Sequence, residues 1–411
     1  MSAEPRRSVV VTGVGVLSAF GRGPFLLEQG LRQGRSALAP LRAFPPLGLP
    51  LQVAAEVDSP LFDAPDFPDD RKASLAFAAV DDAVAAAGAP SLTGAGVWLG
   101  TGLSTVTVRE LNEDVMPYVR DGVLDRVAVD ADLHRDRVAP RRHLPERVTA
   151  AVARRVGALG PQSTSFSACA AGAQAIANAA WAIRRGEVNI AIAGGHDSMI
   201  HPLGVLSFIV LGALSPTTCR PFDHARDGFV IGEGAAMFVL EEESAALARG
   251  ATIWARLLGA GNSTDAHNAT APHPEGAGAA LSMRRALLDA RLPASAVQHV
   301  NAHGTGTPLG DAAEANAIRQ VIGAEVPVSS IKGAVGHCIA AAGAVEAAAC
   351  VLAARGGWSF GTAGLSDPAP LGVNARVDPA EDAPQVLLSN SFGFGGQNTT
   401  LLIGAPGFTP S

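Results

Sequence analysis

Four short stretches of this chain hold the side chains with the strongest chemistry. Cys169 stands in SACAAG, His303 in NAHGTGTPLGD, Lys332 and His337 in KGAVGH, and a glycine-rich loop closes the set in SNSFGFGGQN. A cysteine offers a nucleophile once its thiol is ionised. Imidazoles change charge near neutral pH, and glycines let backbone N–H groups approach a ligand closely. Lysine and histidine at the mouth of an apolar helix are costly unless paired, which marks Lys332 and His337 as site candidates. The constellation suits nucleophilic chemistry at a thiol with proton-handling partners.

The elements around these residues follow from periodicity. Ser163 to Ala168 alternates as a strand does, and an Ala-rich run then leads to Arg184, Arg185 and Gly186, a helix C-terminus. Ile176, Ala180 and Ile183 share one face of that helix. The apolar strand Val188 to Ala193 follows. Cys169 therefore sits at a helix N-terminus, where a nearby negative charge gains about 0.3 to 2 kcal/mol and a lowered thiol pKa is expected. The competing reading is a buried, inert thiol. His303 follows the strand Val297 to Ala302, and a satisfied structural histidine is its alternative. Lys332 and His337 lie between the strand Val326 to Ser330 and the helix Ala340 to Ala354, which contains Glu346. The glycine loop joins strands Val386 to Ser389 and Thr399 to Ile403. Further helices are expected at Arg71 to Gly88, Gly276 to Ala290 and Asp311 to Ile322, and strands at Gly96 to Gly102 and Phe229 to Glu241. Helix and strand alternate in both halves, which predicts α/β layers around buried sheets.

With 411 residues, 48% hydrophobic and 17% charged, the chain has material for a large core and for two domains. No apolar run reaches the roughly 20 uninterrupted residues of a membrane span, and the chain begins directly on a strand-like run, so a soluble cytoplasmic protein is expected. Four cysteines without a C-x-x-C pair suggest reduced thiols rather than zinc or disulfides. A net charge of −7 argues against a nucleic-acid or membrane surface. Thr12-Gly13-Val14-Gly15 opens like a dinucleotide fingerprint. Its third glycine position is Ser18, however, and no acid follows near residues 33 to 38, so no nicotinamide site is expected. Residues 40 to 70 read as surface loop. Val106 to Leu159, with Arg135, Arg137, Arg141, Arg142, Arg154 and Arg155, reads as a solvated helical excursion.

In order and spacing, the four motifs resemble a β-ketoacyl-[acyl-carrier-protein] synthase of the Cys-His-His, elongating kind, over nearly the whole chain. The resemblance implies a thiolase-like α/β fold, with two similar halves (1–250 and 251–411) in five α-β-α-β-α layers, usually a homodimer. It implies decarboxylative Claisen condensation of an acyl group on Cys169 with a malonyl group on an acyl carrier protein. By the same likeness His303 and His337 stabilise the enolate, Lys332 organises the site through Glu314, with Asp311 and Glu346 in support, and the N–H groups of Cys169 and Phe394 form the oxyanion hole. Thr305 and Thr307 match positions along the phosphopantetheine arm, Thr270 matches a substrate-binding position, and Leu103, Phe208 and Phe394 match the acyl pocket. Asn301, Glu346, Ser389 and Asn390 resemble a structural Na or K site of some members. Arg71 and Lys72 match a carrier-docking position, against the alternative of a solvated helix start. No other cofactor is expected.

Alternatives are a non-catalytic chain-length subunit of a heterodimer, which would lack the nucleophile, and a thiolase, which would need a cysteine within Gly393 to Gly396. A cysteine hydrolase leaves Lys332 and the second histidine unexplained. Two departures from the family pattern, the short PTTC turn between Ser215 and Arg220 and the Val106 to Leu159 region, point to a specialised fatty-acid, polyene or polyketide synthase.

Overall fold

The computed structural model describes residues 7–46, 48–58, 67, 70–102, 111–133 and 144–409. Leu103, Arg135, Arg137, Arg141 and Arg142 lie outside them. The elements used below are strands β1 (Val9–Ser18), β2 (Gly96–Thr101), β3 (Gln162–Ser165), β4 (Ile190–Ser198) and β5 (Glu233–Glu242) in the first half, and β6 (Ala255–Thr264), β7 (His299–Asn301), β8 (Pro327–Ser329), β9 (Val386–Gly393) and β10 (Gln397–Gly404) in the second. The helices are α1 (Arg71–Ala86), α2 (Glu146–Val156), α3 (Ala171–Arg184), α4 (Pro202–Val210), α5 (Ala277–Ala290), α6 (Pro308–Val321) and α7 (Ala342–Gly356).

Pairing shows a duplication that no sequence repeat discloses. From the junction outward, one half-sheet runs β1-β5-β4-β2-β3 and the other β6-β10-β9-β7-β8, which is the same order in each. In both, the first two pairings are antiparallel and the next two parallel. The halves join where Val10 and Val11 of β1 pair with Arg256 and Ala255 of β6.

Alternation along the strands sorts their side chains into layers. On β5, Ala236, Phe238 and Leu240 face a central core shared with α3 and α7. Met237 and Val239 face an outer core built on α1 and α2. On the second half, Leu387, Leu401 and Ile403 join the central core, whereas Leu388 and Leu402 face α5 and α6. The result is α1/α2, sheet, α3/α7, sheet, α5/α6: the five layers and two similar halves expected from the resemblance. Because α3 and α7 are sandwiched between apolar sheets, both are Ala-rich all round. The stretch Ile339–Gly356 is apolar enough by composition to cross a membrane, and here it is packed inside the protein.

The central helices meet so closely that only glycine fits at the contact. A Cβ on Gly172 of α3 would lie 2.9 Å from the Ala340 carbonyl oxygen, and one on Gly343 of α7 would lie 2.8 Å from the Ala173 Cβ. This approach brings together the turns that precede the two helices, one carrying Cys169 and the other His337. Gly13 and Gly15 serve packing too: a Cβ on Gly15 would fall 2.0 Å from the Ala79 carbonyl of α1. The fingerprint-like TGVG is thus the middle of a buried strand with a helix lying on it.

The described part of the excursion between Val106 and Leu159 is only partly solvated. Val123 and Val127 are exposed, but α2 sends Val148 and Val152 into the outer core. Nor is the 40 to 70 stretch simply surface, since Leu51, Ala54 and Val57 are buried.

Candidate active site

Cys169 occupies the one-turn 3-10 helix Ala168–Ala170 that leads into α3. Ala168 adopts φ 47, a left-handed conformation that turns the chain sharply from β3 into the helix. The Cys169 Sγ lies 3.1 Å from His337 Nε2. The rings of His303 and His337 stand edge to face with centroids 5.3 Å apart, and the thiol and both imidazoles lie within 4.8 Å of one another through their ligating atoms. That set has the composition of a transition-metal site. However, the Lys332 ammonium is 3.2 Å from His303 Nδ1, and a divalent ion among these three would sit beside a positive charge.

Lys332 is fully buried. Its Nζ donates to the His303 carbonyl oxygen and to Glu346 Oε1. This corrects the expectation that it acts through Glu314. Glu314 instead accepts the N–H groups of His303 and Gly304, each at 2.8 Å, and the Asn390 amide at 3.0 Å, so it fixes the main chain under His303. Asp311 does the same for the neighbouring turn, accepting from Phe222 N at 2.7 Å and Gly306 N at 3.0 Å. Burial pushes Glu314 up to about 7 and Asp311 up to about 6 against those donors.

The same contacts set the states of the imidazoles. Burial, and after it the Lys332 charge, hold His303 and His337 well below the usual histidine range, so both are neutral at pH 7. An ammonium has no lone pair to offer, so His303 Nδ1 is the acceptor and its proton is on Nε2. His337 Nδ1 makes no hydrogen bond among the described residues, and nothing fixes its tautomer. The expectation of an acidified thiol fails in this geometry. Burial pushes Cys169 up to about 12, with the Lys332 charge acting against it, so desolvation outweighs the helix terminus. At rest the thiol keeps its proton, facing His337.

These groups form the floor of a cavity of about 470 Å³ whose wall includes Thr270, Thr305, Thr307 and Phe394. The Thr305 and Thr307 hydroxyls are 2.9 Å apart, and Thr307 also caps α6 by accepting from Gly310 N. Phe208 stands one layer further in, stacked on Phe394 at 6.4 Å and edge-on to Phe229 at 5.6 Å. Phe229, which lies outside the four motifs, and Phe392, which lies within the glycine-rich one without an assigned role, pack against the rings of His337 and His303 at 4.8 and 5.7 Å. Only their position beside polar loops hinted at this.

One further expectation changes. Lys72 is 4% exposed, which removes it as a docking cation. Arg71 is held by Glu233 through both ends of its guanidinium, with Nε to Oε2 at 2.6 Å. Of the residues matched to a cation site, Asn301 Oδ1 and Glu346 Oε2 are buried oxygens without a hydrogen bond among the described residues, as a hard cation needs. The Asn390 side chain is committed to Glu314 and Thr400, and Asn301 Nδ2 donates to Ser389 Oγ.

Two half-sheets of identical order, with a cysteine and two neutral histidines where the central helices meet, define a thiolase-like condensing enzyme. The chain matches the family described as Beta-ketoacyl synthase, N-terminal domain, over residues 6–246, and Beta-ketoacyl synthase, C-terminal domain, over residues 254–365. It belongs to the β-ketoacyl synthase family and is an acyl-transferring condensing enzyme. It is 34% identical to 3-oxoacyl-[acyl-carrier-protein] synthase 2 of Synechocystis sp. over 98% of this chain and 99% of that one. It is 36% identical to Nodulation protein E of Rhizobium meliloti over 96% and 98%. The solved structure titled the ishigamide ketosynthase/chain length factor superposes with a TM-score of 0.85 at 32% identity, covering 98% of this chain and all of that one.

Proposed function

We propose that this chain is the catalytic synthase of a specialised fatty-acid, polyene or polyketide system, with Cys169 as its nucleophile and His303 and His337 as the pair that drives decarboxylation. The observation carrying this is the contact of Cys169 Sγ with His337 Nε2, beside a second neutral imidazole whose tautomer Lys332 sets. In the first half-reaction Sγ attacks the carbonyl carbon of an acyl thioester on the carrier's phosphopantetheine. The thiol proton passes to His337 Nε2, and the backbone N–H groups of Cys169 and Phe394 hold the oxyanion. The C–S bond to the carrier breaks, and His337 returns the proton to the departing thiolate.

In the second half-reaction a malonyl thioester presents its carbonyl oxygen to the Nε2–H groups of both histidines. The bond to the carboxylate breaks, CO2 leaves, and the electron pair becomes the enolate that those donors stabilise. The enolate carbon attacks the acyl-Cys169 carbonyl, the C–S bond breaks, and the thiolate regains a proton through His337. The unfixed tautomer of His337 suits both duties: a bare Nε2 accepts the thiol proton, and a protonated one donates to the enolate.

The partner on this reading is an acyl carrier protein, delivering acyl and malonyl groups. We read the enzyme as cytoplasmic and dimeric, with itself or with a chain-length partner, without a nucleic-acid or membrane role. Supporting the dimer, β3 is a sheet edge and is followed by Phe166, which is 53% exposed. A Na or K ion on Asn301 Oδ1 and Glu346 Oε2 is part of the same reading, and supplies only structural charge compensation.

The pathway is tested with a panel of acyl-carrier primers and with an elongation-deficient cell carrying only this gene. Selective elongation of a non-housekeeping primer and no restored growth are expected; normal growth would overturn the specialised assignment. Phe208→Ala is expected to shift the product chain-length profile through Phe394. An unchanged profile removes Phe208 from the acyl side.

A further inference from the structure

The turn that carries His337 is held at its start by the segment that leads into β5 and at its end by β4. At its start, His337 N donates to the Val230 carbonyl at 2.8 Å, and Gly232 N donates to the His337 carbonyl at 2.9 Å. At its end, Ala340 N donates to Asp197 Oδ2 at 3.0 Å. Between these anchors Ile339 has φ 49. A β-branched residue there is a true outlier and survives only where its surroundings impose it.

Asp197 is the group placed to impose it. It is completely buried on β4, its other oxygen accepts Ser198 N at 2.9 Å, and Gly102 packs so closely on Oδ2 that a Cβ there would lie 2.2 Å from it. Its neighbour Ser198 pairs across the strands with Glu233, whose carboxylate takes Val57 N, the Ser198 hydroxyl and Arg71. Arg71, resembling a docking residue in sequence, thus buttresses the same strand end. The buried Lys72 charge and the Ser198 amide also act on the Asp197 carboxylate, and the Ala340 amide is the contact that ties it to the His337 turn.

We propose that Asp197 is a positioning residue for His337: by holding the Ala340 amide it maintains the strained turn that aims His337 Nε2 at Cys169 Sγ. It touches no substrate. This deepens the reading above and rests on His337 acting in the reaction. If Asp197 lets go, Ile339 relaxes towards an ordinary φ and the imidazole loses its line to the sulfur. Misplacement of about 1 Å at a reacting group lowers rates about 100-fold.

The test compares Asp197→Asn and Asp197→Glu, alone and combined with His337→Ala, in steady-state condensation with malonyl- and acyl-carrier substrates. Either single change is expected to lower kcat about 10- to 100-fold with KM for both carriers unchanged. In the His337→Ala background the further loss is expected to be under about twofold, because the group being aimed is already gone. Wild-type kcat in both Asp197 variants overturns the proposal, as does a loss that multiplies that of His337→Ala or a rise confined to KM. Should Asp197→Asn fail to fold, Asp197→Glu, which keeps the charge and displaces the carboxylate, decides it. Full activity of His337→Ala alone sinks the role of His337 instead, so the two failures are separable.

Discussion

Cys169→Ala is expected to abolish acyl loading and to lower condensation by roughly 10⁴-fold or more, since removing a covalent nucleophile eliminates the route rather than weakening it. Intact-protein mass spectrometry after incubation with acyl-carrier substrates reads the first effect directly: an acyl adduct on the wild type, none on the variant. The structure adds a second expectation. In the mechanism proposed above, enolate formation draws on the Nε2–H groups of His303 and His337 with Lys332 behind them, and none of these needs the sulfur as a reactant. CO2 release from malonyl-carrier should therefore survive in Cys169→Ala while carbon–carbon bond formation is lost. Condensation persisting in the variant would remove Cys169 as nucleophile. Loss of decarboxylation along with it would show that the two half-reactions share more than this geometry provides.

Lys332→Met is expected to be the most destabilising change in the site. Lys332 and Glu346 form an ion pair with side chains 1% and 2% exposed, and removing the lysine leaves a buried carboxylate without its counter-charge. Breaking such a pair from one side costs about 3–5 kcal/mol. The loss should depend on pH. Burial already holds the Glu346 carboxyl above the usual range, and without Lys332 it rises further. A group whose folded pKa exceeds its unfolded one binds an extra proton in the folded state between the two values, so stability falls as pH rises through that window. Denaturant titrations should thus show a larger deficit at pH 8 than at pH 5. Lys332→Met with Glu346→Leu should recover most of the stability, since neither charge is then buried, but not the activity, because His303 loses the donor that sets its tautomer. A single variant as stable as the wild type at pH 8 would mean that Glu346 is compensated by another group.

Much of the site was legible in the sequence because its signals are local. Cys169 at a strand-to-helix turn, His303 after a strand and Lys332 and His337 before an Ala-rich helix all follow from the periodicity of a few neighbouring residues, and the structure brings all four together. The pairing of Lys332 with Glu346 rather than Glu314 was not legible. Both acids lie on helices near the lysine in sequence, and only the packing of α7 against β9 selects between them. Lys72 misled for a related reason: a cation opening a helix looks solvated, and its burial depends on the residues around Gly102.

By itself, then, the sequence determined the order of elements and the α/β layering, because dihedral preference and hydrophobic alternation act between near neighbours, and its motifs singled out the candidate reacting groups. Tertiary structure decided the protonation of those groups and their partners. Cys169 and His337 are 168 residues apart, and their 3.1 Å contact exists only because two glycines let α3 and α7 approach. The thiol is protonated at rest, not ionised as its helix terminus suggests, because desolvation is set by everything packed around the sulfur and here exceeds what a local dipole supplies.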